Sequence, residues 1–322
     1  MQQIDNDSGT RPEDDRWERK ALENVALAAI TEQRRSRRWG IFFKFLGLAY
    51  LSLILAFVID WGQPDRFADG QRITALIDMN GVIDSSDVSA KNLISALKDV
   101  YEDKHTAGVI LRINSPGGSP VQAGMMNDEI RRLRSLHPTI PVYVVVEDVC
   151  ASGGYYVAVA ADKIFVDKAS IVGSIGVLMD GFGFTGLMEK IGVERRLMTA
   201  GANKGFLDPF SPQTESQRAF AQTMLDQIHQ QFIGVVRKGR GNRLKETPEM
   251  FSGLFWTGQQ AVEMGLADGF GTLDHVAREV VKAEEVVDYT QRINFAERLA
   301  KRFGSAVGVG AVQALRTSPP LR

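Results

Sequence analysis

The polar and apolar positions divide the chain into three stretches. A charged N-terminal segment is followed by an apolar run over residues 41–59, IFFKFLGLAYLSLILAFVI. From about residue 72 short β-rich runs alternate with amphipathic ones: RITALIDMNG, SAKNLISALKDVYED, AGVILRIN, AGMMNDEIRRLRSL and IPVYVVV. Strand-helix alternation of this kind predicts an α/β domain with largely parallel strands and right-handed crossovers. Ile140 to Val146 reads as a strand buried on both faces, with Pro141 among its first residues, and Gly153 to Ala161 as the helix that follows. A strand at Val109 to Ile113 leads through NSPGGSP into a helix from about Val121. Further on, the pattern predicts a strand over Val193–Thr199, a helix over Gln213–Lys238, and a closing turn and helix over Trp256–Gly265.

The run at 41–59 has the length of a tilted or slightly short transmembrane helix, with Trp39 and Trp61 at interfacial positions. Lys44, its one charge, stands near the start, where its side chain reaches the headgroups. The RRSRR cluster, Arg34 to Arg38, precedes the run and a nearly balanced segment follows it, so the positive-inside rule puts the N-terminus in the cytoplasm and the rest outside. A cleaved signal peptide fits less well, because the leader is long and no A-x-A site follows. The domain plan is a cytoplasmic tail at 1–38, partly helical around Trp17–Gln33, a transmembrane helix at 39–61, and a linker at 62–71. The α/β domain occupies 72–290, and the tail at 291–322 is placed against membrane or a neighbouring subunit.

Composition narrows the classes. The 322 residues, 44% apolar and 24% charged, suffice for one large domain with appendages. A formal net charge of −1 makes no case for a nucleic-acid partner. The single cysteine, Cys150, excludes an intramolecular disulfide and a zinc site built on several thiolates, and neither metal nor cofactor is expected.

Candidate chemistry gathers at two turns. ASGGYY places Ser152 at the carboxyl end of a strand and the start of a helix, where either a nucleophile or a helix cap fits. In NSPGG, Gly117 and Gly118 leave backbone N–H groups unobstructed, and one of them with the amide of Gly153 would form an oxyanion hole. The base is less plain. A nucleophile elbow G-x-S-x-G is missing, since Cys150 stands two residues before the serine, and His105, His137, His229 and His275 read as surface histidines. Lys204, in LMTAGANKGFLDPFSP, remains, although taken alone it reads as a solvated loop lysine. GFGFTG, Gly181 to Gly186, matches a dinucleotide fingerprint in form only, lacking the crossover helix that motif needs.

Taken in order, NSPGG, ASGGYYVAVAADKIF, GSIGV, TAGANKGFLDPFSP and FWTGQQAVEMGLADGFG resemble the signal peptide peptidase A family over about Ile73 to Val280. That resemblance implies a short, single-domain form with a crotonase/Clp-like α/β domain of repeated strand-strand-helix units, so that 72–290 becomes a peptidase domain. It implies a Ser/Lys dyad in which Ser152 is the nucleophile, Lys204 the general base and Ser174 of GSIGV the hydroxyl that orients the lysine. It further implies a bowl-shaped homo-oligomer on the outer side of the cytoplasmic membrane, hydrolysing remnant signal peptides after their release by signal peptidase. The Clp protease subunit has a related fold with a Ser/His/Asp triad, but no histidine lies between Ser152 and His229. A crotonase-like acyl-CoA enzyme fits poorly with an outward-facing domain. A catalytically silent membrane scaffold on the same fold is set against the presence of both Ser152 and Lys204.

Overall fold

The computed structural model describes residues 37–53, 70–86 and 88–291, together with Asn24, Leu27, Glu32, Arg34 and Arg35. The chain divides into two compact units, 1–68 and 69–322. In the first, helix α1 is described over residues 37–53, and Phe42, Phe43, Phe45, Leu46, Leu48, Tyr50, Leu51 and Leu53 are all exposed along it. Among the described residues no helix is long and apolar enough to cross a membrane. Residues 54–59 of the expected transmembrane run lie outside the described residues, as do most of the expected helix at 17–33 and the tail from 292 onward.

The second unit follows the predicted alternation. Its first half reads β1 (Ile73–Asn80), α2 (Ala90–Glu102), β2 (Thr106–Ser115), α3 (Pro120–Leu136), β3 (Val142–Ala151), α4 (Gly153–Ala158), β4 (Lys163–Val166) and β5 (Ile171–Gly173). The second half holds α5 (Thr185–Ile191), α6 (Glu215–Arg240), β6 (Phe255–Thr257), α7 (Gly258–Glu263), β7 (Gly269–Phe270), α8 (Leu273–His275, continued by a wide turn to Val281) and β8 (Val286–Asp288). The strands make one mixed α/β sheet in the order β6-β5-β3-β2-β1-β8, with β4 pairing both β3 and β7. Every ladder is parallel except β5 with β6.

Local sequence accounts for the helix starts. Ser89 caps α2 by accepting from the Asn92 amide, and Ser119 caps α3 ahead of Pro120, which donates no N–H. Thr214 and Gln217 close a reciprocal capping box at α6. One apolar core lies between the sheet and α2, α3 and α4, and a smaller one on the other face joins Leu76, Ile110, Val145 and Phe165 to Val276 and Val281.

Strand β3 changes neighbours part-way. Tyr143–Val145 pair with β4, whereas Val149–Ala151 pair with β5. The sheet therefore splits beyond Val145, and the ends of β3 and β5 emerge side by side. Several boundaries differ from the sequence expectation: β2 begins at Thr106 and not Val109, β3 continues to Ala151, and α4 ends at Ala158 instead of Ala161. The strand expected at Val193–Thr199 does not form. Val193, Leu197 and Met198 have strand-like character but stay exposed, and an extended segment without a sheet edge to join gains no ladder hydrogen bonds.

Candidate active site

Ser152 occupies the one-residue joint between β3 and α4, with φ 50° and ψ −120°. This left-handed backbone is sparsely populated for any residue with a Cβ and costs about 1–3 kcal/mol. Its side chain makes no capping hydrogen bond to α4. The question posed by ASGGYY thus has a geometric answer: the hydroxyl is not spent on the helix. The main chain at the joint is held from both sides, since Ser152 N–H donates to the Gly173 carbonyl at 2.8 Å and Tyr156 N–H donates to the Ser152 carbonyl at 2.9 Å.

The NSPGG turn packs directly on this joint. A Cβ added to Gly117 would lie 2.7 Å from both Gly153 N and the Ser152 Cβ, and one added to Gly118 would lie 2.1 Å from the Ile83 carbonyl oxygen. Both glycines have positive φ, 103° and 144°, so neither the space nor the backbone tolerates a side chain. Ile83 N–H donates to Gly117 O and Ser119 N–H donates to Ile83 O. In such a parallel bridge the middle residue, Gly118, turns its own N–H to the opposite side. The position a Gly153 Cβ would take is 3.2 Å from Gly118 N. Of the two candidate partners for the Gly153 amide, Gly118 therefore has its N–H available, whereas Gly117 N–H is used at 3.2 Å by Ser115 Oγ.

Ser174 follows β5 as Ser152 follows β3, and the register Ala151 with Gly173 makes the two serines neighbours at adjacent strand ends. Ser174 also has positive φ, 51°, and its N–H donates to Leu254 O at 2.8 Å. Behind it, the His229 ring on α6 meets the Ile175 carbonyl at 3.1 Å. The reading of every histidine as a surface residue needs correction here. His229 is half-buried, and His105 is buried against Asp103. His137 stacks on Tyr101 with ring centroids 4.6 Å apart.

Lys204 lies in an exposed turn, its N–H donating to Gly201 O at 3.1 Å. Among the described residues its Nζ has no hydrogen-bond or ion-pair partner, so the sheet brings Ser152 and Ser174 together while no hydrogen bond or ion pair joins Lys204 to either. The surrounding stretch, 177–212, is largely exposed, with Leu178, Phe182, Leu187, Ile191 and Met198 all open to solvent. Asp208 ties this stretch together: it accepts from Ser211 Oγ at 2.6 Å and faces Arg195, and these bonds, Ser211 first, hold its carboxyl below the ordinary range. Gly181 to Phe184 lie in an irregular connector with no strand directly ahead of it, and the segment ends in the first turn of α5, which at seven residues is no crossover helix, unlike a dinucleotide turn. The described residues contain no cluster of histidine, cysteine and carboxylate side chains able to hold a metal ion.

Two groups near the site acquire a role only in the structure: Tyr155 stands close to Ser152 in the sequence without an evident part, and Arg240 gives no sign of one. Tyr155, fully buried on α4, donates its hydroxyl to Leu266 O at 2.8 Å, and burial pushes its phenol far above the ordinary range. Beside it Arg240, 1% exposed, makes a two-point pair with Asp268 at 2.8 and 3.0 Å and donates to Gly265 O.

The profile of Peptidase family S49 matches residues 134–287, which include Ser152, Ser174 and Lys204. The chain is 43% identical over 216 residues to a protein of Brucella melitensis named Na(+)/H(+) antiporter NhaA, a match covering 65% of this chain and 29% of that protein. It is 34% identical over 200 residues to an Enterococcus faecium protein named as a signal peptide peptidase SppA, covering 62% of this chain and 58% of that one. The chain thus spans well under two thirds of the length of either. A Methanocaldococcus jannaschii protein named as a protease is 30% identical over 290 residues, which is 84% of this chain and 92% of that protein. With similarity along nearly the whole of that relative and the family match across the site, the chain belongs to peptidase family S49, the signal peptide peptidase A family.

Proposed function

We propose that the chain is a membrane-anchored serine endopeptidase in which Ser152 attacks the scissile carbonyl and Lys204 is the general base. The observation that carries this reading is the strained Ser152 joint, with an uncommitted hydroxyl beside the Gly118 and Gly153 amides. Strain of this kind persists only where surrounding structure enforces it, and it clusters at reactive sites. The serine proton passes to Lys204 during attack and returns to the leaving amine, and the lysine then activates the water that releases the acyl group. The two amides stabilise the tetrahedral oxyanion, each by about 3 kcal/mol. Ser174, emerging beside Ser152, orients the lysine amine.

A lysine acts as base only when neutral, which needs desolvation or neighbouring positive charge. Lys204 is exposed in the single chain, on a stretch whose apolar side chains are also exposed. We therefore read the working enzyme as a homo-oligomer, with 177–212 covered by a neighbouring copy that completes the site. The crotonase/Clp-like architecture, with its paired-amide oxyanion site at the ends of parallel strands, accords with this reading. A Clp-like triad is disfavoured by His229, whose ring is engaged with the Ile175 carbonyl. The membrane anchor is supported by the apolar run at 41–59 and by the side chains exposed all round α1. RRSRR ahead of the run supports a peptidase domain on the outer side of the cytoplasmic membrane, and remnant signal peptides are the proposed substrates.

The test is labelling of the full chain with a fluorophosphonate probe, with peptide mapping by mass spectrometry and parallel Ser152→Ala and Lys204→Ala variants. Labelling is expected on Ser152 in the wild type and in neither variant. Undiminished peptide cleavage by Ser152→Ala would remove the nucleophile assignment.

A further inference from the structure

We infer that Asn127 is a positioning residue that fixes the spacing of the two oxyanion donors; this rests on the reading of Gly118 and Gly153 given above. Helix α4 is only six residues long, too short to satisfy its own carboxyl end. Ala160 N–H turns to Val157 O, leaving the Tyr156 carbonyl without an intrahelical donor. Asn127, on α3 and 1% exposed, supplies one: its Nδ2 donates to Tyr156 O at 2.6 Å. Arg131, one turn on, donates from Nε to Asn127 Oδ1 at 2.8 Å, which fixes the amide's orientation, and its Nη2 reaches Val159 O at 3.4 Å. Arg134, further along α3, donates to Ala160 O.

Three side chains of one helix thus hold three carbonyls at the end of another. The same helix begins two residues after Gly118, with Ser119 as its cap. One donor is fixed to the start of α3, and the other, Gly153, is the first residue of α4. Tyr156 is the link, because its N–H bonds to the Ser152 carbonyl while its own carbonyl receives Asn127. Any sliding of α4 along α3 changes the gap between the two amides, and Asn127 is the buried bond that opposes sliding. It touches no substrate and acts through Gly153.

The test uses the full chain in detergent with a chromogenic peptide, a peptide aldehyde that forms a tetrahedral adduct, and the cleaved peptide acid as a planar competitor. Asn127→Leu removes the donor and keeps the volume. We expect kcat to fall by about ten- to a hundredfold, KM to stay within about twofold, and aldehyde affinity to fall in step with kcat while the peptide acid binds as before. Arg131→Gln, at a half-buried position, leaves Asn127 in place but unsupported, and is expected to shift the same quantities by a smaller factor; it decides the matter if Asn127→Leu fails to fold. Unchanged kcat and aldehyde affinity in a folded variant would overturn the inference, as would equal weakening of aldehyde and peptide acid. Ser152→Ala is run alongside: if it still turns over, the nucleophile assignment has failed, whereas an inert Ser152→Ala with wild-type kinetics in Asn127→Leu refutes only the role of Asn127.

Discussion

The N–H of Ser152 donates to the carbonyl of Gly173 at 2.8 Å, one residue beyond the last paired position of β3 with β5. This bond continues the ladder through the point where the chain turns into α4, so the serine cannot relax out of its left-handed backbone without losing a sheet bond. It also brings Ser174, next along from Gly173, to the side of Ser152.

Replacing the serine separates strain from chemistry. Ser152→Ala keeps a Cβ and hence the strained backbone, whereas Ser152→Gly relieves about 1–3 kcal/mol of strain at an entropic cost of about 0.5–1 kcal/mol. Both variants are expected to be inactive, with Ser152→Gly the more stable by about 1 kcal/mol. Denaturant unfolding of the two proteins measures the difference, and equal midpoints would mean the φ of 50° stores no strain.

A methyl group at Gly118 should damage the site at once, because it would fall 2.1 Å from the Ile83 carbonyl oxygen and force the turn to move. Gly118→Ala is expected to lose at least about a hundredfold in kcat, the typical cost of one oxyanion donor, with destabilisation of about 1–3 kcal/mol. Gly124→Ala is the control. Gly124 lies on α3 with nothing within 4 Å of its would-be Cβ, so it should gain about 1 kcal/mol of stability and keep its activity. Equal activity loss in both would implicate α3 in general and not the oxyanion turn.

Much of the sheet was legible because β1, β2, β3, α2 and α3 are long and regularly patterned. The short strands were not: β5, β6 and β8 have three residues each and β7 two, too few for a periodic signal. Val193–Thr199 shows the reverse error, strand-like residues without a partner edge. The serine was found by its place after a strand, yet its elbow-like conformation was hidden by Cys150, since backbone strain depends on what the neighbouring β5 enforces and not on local residue type. Asn127 and Arg131 looked like the polar face of an amphipathic helix. Only the truncation of α4, three-dimensional in origin, makes them ligands for its carbonyls.

Acid should loosen the joint between α6 and the segment after α7. Burial alone would raise the Asp268 carboxyl, but hydrogen bonds and charge from Arg240, with the Ile164 N–H and Arg243, outweigh it and hold the group below the ordinary range. A depressed folded-state pKa stabilises the protein above the unfolded value and ceases to do so as pH falls through the folded one, so this contribution fades below about pH 4. Asp268→Asn should therefore show a flatter dependence of stability on pH below about 4 than the wild type. Arg240→Met, which leaves Asp268 buried without its main partner, should cost about 3–5 kcal/mol near neutral pH. Parallel acid-unfolding curves for Asp268→Asn and wild type would contradict the shift.

The stretch carrying Lys204 supplies the last prediction. Leu178, Phe182 and Met198 are 81%, 80% and 95% exposed, a concentration of apolar surface that a soluble face does not ordinarily maintain. If a neighbouring copy covers them and thereby desolvates Lys204, a charge at this face should separate the copies and remove the base from its site without touching Ser152. Met198→Glu is expected to shift the detergent-solubilised protein to smaller assemblies in light scattering and to lower kcat by at least about tenfold, because the stretch that carries the base loses the cover of the neighbouring copy. Compared as monomers at high dilution, the two proteins should unfold within about 0.5 kcal/mol of each other, because Met198 is exposed in the single chain. Wild-type specific activity should fall on dilution in step with loss of the larger assemblies. A Met198→Glu protein that is monomeric and fully active would show that Lys204 reaches Ser152 within one chain.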